Sequence, residues 1–181
     1  MERSTKQARS PNQVVWDAGI SLKRLLVPTD LSEQSGKALL YAAAFVQQFH
    51  CTIYVLLVVE AAPFAAGVEA LPITLDREAT VASGQRDLAR WFGDLGWPNV
   101  LTTVPLVREG KLVPEIVAVA TEQNIDLIIV STHGRRGVKH LLLGSSAEEI
   151  LRSAPCPVLV VREKEHEFLH SLPSQQAAPA A

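Results

Sequence analysis

The runs TIYVLLVV (residues 52–59) and IDLIIVS (125–131) constrain this chain more than any other feature in it. Each is short, rich in β-branched residues and apolar at nearly every position. A strand of that kind suits burial on both faces, as in a parallel sheet. KRLLVP (23–28) and CPVLVVR (156–162) repeat the pattern at either end, and NVLTTVPLV (99–107) reads as a weaker fifth strand. Between the strands the apolar period changes to that of a helix. The segment after Pro28 places Leu39, Leu40, Ala43 and Val46 at helical spacing, with Asp30 or Ser32 as N-cap. Residues 75–95 set Leu88, Trp91, Phe92 and Leu95 at i, i+3, i+4 and i+7, which predicts one apolar stripe. VPEIVAVATEQN (113–124) carries Pro114 in its first turn, and SAEEILRSA (146–154) reads as a short helix. The alternation predicts an α/β fold: a single open five-stranded parallel sheet with helices on both faces, Rossmann-like in architecture.

Composition bounds the rest. Of 181 residues, 48% are apolar, enough for one core and far from a disordered composition. A formal net charge of −2 gives no reason to expect nucleic acid or an anionic membrane as partner, so any anion site must be local. Cys51 and Cys156 stand in apolar contexts without CxxC spacing, which reads as buried free thiols in a reducing compartment. The N-terminal segment lacks the apolar stretch of a secretory signal. No run approaches the ~20 apolar residues that span a bilayer. The expectation is a cytoplasmic protein with a loose arm over residues 1–21, one domain over 22–162, and a flexible tail over 163–181.

In an open parallel sheet, ligands bind beyond the carboxyl ends of the strands, where the strand order reverses. Two loops suit that position: VPTDLSEQ (27–34) after the first strand, and STHGRRGVKHLLLGSS (131–146) after the fourth. Glycines 134, 137 and 144 permit close backbone approach by a ligand. Ser145 with Glu148 three residues on has the pattern of a capping box opening a helix. A helix N-terminus stabilises an anion, Ser145 and Ser146 add donors, and Arg135, Arg136, Lys139 and His140 add positive charge. The same residues fit a plain helix start with a solvated basic loop. Asp30 likewise fits either an N-cap or a carboxylate accepting hydrogen bonds from a sugar or base edge. His133 and His140 have no carboxylate partner in the sequence, so no catalytic residue is assigned. GxxxxGK[ST], GxGxxG after the first strand, and GxSxG are all missing.

The second loop resembles the nucleotide-binding segment of the universal stress protein family, G-x2-G-x9-G-[ST]. Gly134 is its second glycine, nine residues follow, and Gly144-Ser145 closes it. The resemblance runs from about Lys23 to Arg162, with LLVPTDLSE, VLLVVE and APCPVLVVR matching at three further strands. Ser131 stands where the motif has its first glycine. Both later glycines, which family members that do not bind ATP lack, are present.

The resemblance implies an ATP-binding, nucleotide-dependent stress-response regulator. It implies that Pro28, Thr29 and Asp30 hold the adenine and ribose end, with Val58 lining the base pocket. Ser131, His133 and Gly134 would lie along the ribose and α-phosphate, and Gly144, Ser145 and Ser146 would cradle the outer phosphates. Magnesium would accompany the nucleotide. The family's homodimers form through the last strand, here Pro157–Val161. No base is defined to activate water, so hydrolysis is expected to be slow at most. The alternative is a dimeric protein-interaction module whose nucleotide site is vestigial.

Overall fold

The computed structural model describes residues 19–60, 77–98, 101–132 and 144–162. Its elements are β1 (Arg24–Thr29), α1 (Glu33–Phe49), β2 (Thr52–Val59), α2 (Arg77–Asp94), β3 (Thr103–Glu109), α3 (Leu112–Glu122), β4 (Leu127–Ser131), α4 (Ser145–Ser153) and β5 (Val158–Val161). Residues 1–18 of the expected arm, the expected tail and the glycine- and proline-containing stretch before α2 lie outside the described residues.

The five strands form one parallel sheet in the order β3-β2-β1-β4-β5. Alternate residues of each strand feed two separate cores. Leu25, Val27, Ile53, Val55 and Ile129 pack under α1 and α2 with Leu39, Ala42, Leu88 and Trp91. Leu26, Leu56, Ile128 and Val130 pack under α3 and α4 with Val113, Ile116, Val119 and Ile150. Both faces of the sheet are therefore covered, which is why β1, β2 and β4 read as unbroken apolar runs. Fully burying each such leucine or isoleucine contributes about 1.5–3 kcal/mol.

Three local readings shift. The weak strand lies at Thr103–Glu109 rather than 99–107; just before it Leu101 N–H donates to Pro98 C=O at 3.3 Å and Trp97 Nε1–H to Thr103 Oγ1 at 3.0 Å. As an edge strand it tolerates Pro105, and its end can carry Arg108 and Glu109. Leu40 is 45% exposed, since the face of α1 that meets the sheet runs through Leu39, Ala42, Ala43 and Val46. The stripe on α2 also ends early: Leu88 and Trp91 are buried, Phe92 is half-buried, and Leu95 lies past the helix end and is exposed.

The amino end of the β1–β4 pair is fixed by one side chain. Asp126 Oδ2 accepts the backbone N–H of Lys23 at 2.7 Å and of Arg24 at 2.9 Å, while Asp126 N–H donates to Arg24 C=O at 2.9 Å. These are the two strands between which the order reverses.

Candidate nucleotide site

Chain order runs outward from β1 through β2 to β3, then returns to place β4 on the other side of β1. The switch point therefore lies between β1 and β4, and the two loops singled out in the sequence leave these adjacent strands at their carboxyl ends. The strands part there. β1 stays in register with β2 as far as Thr29↔Leu57, whereas its register with β4 runs over Leu25↔Leu127 and Leu26↔Ile128. Backbone groups alternate along a strand, and Arg24 C=O points to β4, so the backbone of Pro28 faces the same way. Proline has no N–H to continue that ladder. Pro28 thus helps to end β1–β4 pairing at the mouth of the crevice.

Beyond Pro28 the chain makes a tight polar turn. The Thr29 side chain is buried (5% exposed); its Oγ1 accepts Leu31 N–H at 2.9 Å and lies 2.9 Å from Ser35 Oγ. Ser35 Oγ–H donates to Ser32 C=O at 2.9 Å, which leaves the Thr29 hydroxyl as donor to Ser35. Thr29 therefore aims its hydroxyl into the protein. Leu31 adopts φ 62°, a left-handed conformation rarely adopted by leucine, and the turn brings Ser32 back over Asp30. Asp30 Oδ1 accepts Ser32 N–H at 3.1 Å and Ser32 Oγ–H at 2.5 Å. Of the two expected N-caps, Ser32 is the one: its Oγ accepts Ser35 N–H at 3.2 Å. Asp30 is half-buried at the crevice, two residues before the cap. This hydroxyl network was not foreseen, although the spacing of Thr29, Ser32 and Ser35 in TDLSEQS carries its signal.

Val58 follows the residue level with Thr29 on β2; it is half-buried and packs on the α3 side of the sheet. Ser131 ends β4 opposite Val161 and is half-buried. His133, Gly134 and the basic residues Arg135, Arg136, Lys139 and His140 lie outside the described residues, as does Gly137.

The two ends of segment 133–143 meet. Gly144 N–H donates to Thr132 C=O at 3.1 Å, and Thr132 N–H donates to Val161 C=O at 3.0 Å. The sequence suggested Ser145 as the cap of a capping box with Glu148. Instead Gly144 is the N-cap, extended at φ −69° and ψ 149°, with no side-chain cap bond, and Ser145 is the first helical residue. Glu148 N–H donates to Gly144 C=O at 3.0 Å, which makes residue 144 the first acceptor of the helix, and a Cβ there would fall 2.7 Å from the Thr132 carbonyl oxygen. A glycine cap offers no side-chain acceptor of its own to the first N–H groups of α4, and Ser145 and Ser146 are exposed beside them. Glu148, in the first turn, is ion-paired with Arg152 one turn on. The arrangement can hold an anion at α4 and polar groups of the same ligand at Asp30.

Among the described residues, no group of three or more His, Cys, Asp or Glu side chains could hold a metal ion. A cavity of about 480 Å³ runs along α2 beside Arg77, Glu78, Val81, Ala82 and Gln85, away from the switch point and built on a single helix. Among the described residues, no helix is long and apolar enough to cross a membrane.

A parallel α/β sheet with paired loops at its switch point defines the broad class of protein. The sequence model of the Universal stress protein family matches residues 21–162. Universal stress protein MJ0531 of Methanocaldococcus jannaschii is 31% identical over 157 residues, covering 86% of this chain and 91% of that protein. Among solved structures, universal stress protein UspA from Lactobacillus plantarum has a TM-score of 0.67 at 22% identity, covering 80% of this chain and all (100%) of that one. A universal stress protein solved in complex with cAMP has a TM-score of 0.56 at 19% identity, covering 78% and 98%. This chain belongs to the universal stress protein family.

Proposed function

We propose that the chain binds ATP, with Mg2+ carried on the phosphates, in the crevice between β1 and β4, and acts as a nucleotide-dependent stress-response regulator. One observation carries the reading: α4 begins at a side-chain-free cap, Gly144, held against Thr132, on the strand next to the one that delivers Asp30. Pro28, Thr29 and Asp30, with Val58, take the adenine and ribose end. Ser131, His133 and Gly134 follow the ribose and α-phosphate, and Gly144, Ser145 and Ser146 take the outer phosphates. Since Thr29 turns its hydroxyl inward, its contribution to the ligand is backbone. A protein of the same fold has been solved with cAMP, an adenine nucleotide.

The nucleotide-binding domain spans residues 22–162. In this reading binding is the function, and any turnover of ATP is slow at most. The edge strand β5 supports a homodimer through Pro157–Val161, since an unpaired apolar edge is stabilised by a partner strand. Two free cysteines suit the reducing cytoplasm. The test is to denature the purified protein and analyse the released small molecules by liquid chromatography and mass spectrometry. Adenine nucleotide near one equivalent, or its uptake after the stripped protein is incubated with Mg-ATP, supports the reading. A folded protein that neither carries nor takes up nucleotide at millimolar concentration overturns it.

A further inference from the structure

We infer that Ser32 is a positioning residue for sugar recognition: it holds the Asp30 carboxylate in the orientation that reads the ribose hydroxyls. The inference rests on the proposed nucleotide function and deepens it. Its basis is how one hydroxyl group divides its bonds. Ser32 Oγ accepts Ser35 N–H at 3.2 Å, as a helix cap must. With a lone pair used there, its proton is available, and it has two acceptors in reach: Ser35 Oγ at 3.4 Å and Asp30 Oδ1 at 2.5 Å. The shorter, charge-assisted bond to the carboxylate wins. Ser32 N–H donates to the same oxygen at 3.1 Å. Two donors from one residue thus fix Oδ1 and limit rotation of the carboxylate. The left-handed turn at Leu31, tied by its own N–H to Thr29 Oγ1, makes the approach of Ser32 to Asp30 possible.

An ordinary cap would need only the bond to Ser35. The bond to Asp30 lies outside the helix. A carboxylate held this way loses little further freedom when it accepts a sugar hydroxyl, which is how preorganisation raises affinity.

The test separates positioning from capping. Glycine is nearly as good an N-cap as serine and keeps the backbone N–H, but has no hydroxyl; threonine keeps both functions. Affinities for Mg-ATP and for Mg-2′,3′-dideoxy-ATP are measured by calorimetry for the wild type, Ser32→Gly and Ser32→Thr, with thermal midpoints for each. The wild type is expected to prefer ATP about tenfold, the scale of a hydrogen bond to a charged group. Ser32→Gly should reduce that preference to about twofold or less, chiefly by weakening ATP, while Ser32→Thr should retain it. Should Ser32→Gly show no cooperative melting, Ser32→Cys replaces it, since a thiol keeps the side-chain shape and adds no charge but is only a weak donor to Asp30. A preference unchanged in the folded variant, or both ligands weakened equally, gives Ser32 a structural role and overturns the inference while leaving nucleotide binding intact. Equal wild-type affinity for the two ligands also overturns it. Failure of the wild type to bind either ligand overturns the nucleotide reading itself.

Discussion

Gly144 N–H donates to the carbonyl oxygen of Thr132 at 3.1 Å, and that same oxygen lies 2.7 Å from where a Cβ at position 144 would stand. Glycine is required here by packing of the protein on itself, before any ligand enters. Its φ of −69° is open to any residue, so the requirement is one of volume alone. Gly144→Ala is therefore expected to destabilise the protein without nucleotide by about 1–3 kcal/mol, the usual cost of overpacking. Urea denaturation of the stripped protein checks this. An unchanged midpoint would mean that α4 shifts freely and that the glycine serves ligand approach only.

Asp126 joins β1 to β4 at the end opposite the crevice, through bonds to the N–H groups of Lys23 and Arg24. These bonds lie in an exposed setting, so water can replace the lost acceptor in part. Asp126→Ala is expected to lower stability by about 1–3 kcal/mol, each bond to a charged group contributing toward that figure. Hydrogen exchange should show the loss first at Lys23 and Arg24. Unaltered exchange there would contradict the clamp.

The fold was legible because burial on both faces of a central sheet leaves a direct mark: β1, β2 and β4 are apolar throughout, and the helices between them show the longer period. β3 was misplaced by four residues at its start and two at its end, because an edge strand with Arg108 and Glu109 at its end lacks that mark. The neighbourhood of β1 and β4 was expected from the two loops, and the sheet order bears it out. The capping pattern at Ser145 and Glu148 misled by one position, since a motif read from residue types does not register that Glu148 N–H bonds to the Gly144 carbonyl and starts the helix one residue earlier. The Asp30–Ser32 bond was hidden for a related reason: both residues are good caps, and only the left-handed turn at Leu31 decides which one caps and which one is held.

Burial raises the Cys51 thiol above its ordinary value of 9.0, with the negative charge of Asp126 adding to the effect against an opposing backbone hydrogen bond. Cys156 is raised from the same value by the same main cause. Both thiols are thus held neutral in the folded protein. Their contribution to stability is full below the ordinary value and is lost as pH rises above it through the raised folded value. Iodoacetamide at pH 8 should label the folded protein far more slowly than a free thiol, with rapid labelling of both cysteines in urea. Fast modification of Cys51 in the folded state would contradict its burial at 2% exposure.

Isothermal titration of nucleotide-stripped protein with Mg-ATP reads occupancy of the crevice between β1 and β4 without an indirect reporter. Saturable binding is expected near one nucleotide per chain with a dissociation constant below about 1 mM, more than about 4.1 kcal/mol of binding free energy. Asp30→Ala is expected to weaken that binding about tenfold or more, the scale of a lost bond to a charged group. A folded wild-type protein giving no saturable heat up to several millimolar Mg-ATP would contradict nucleotide binding in the crevice.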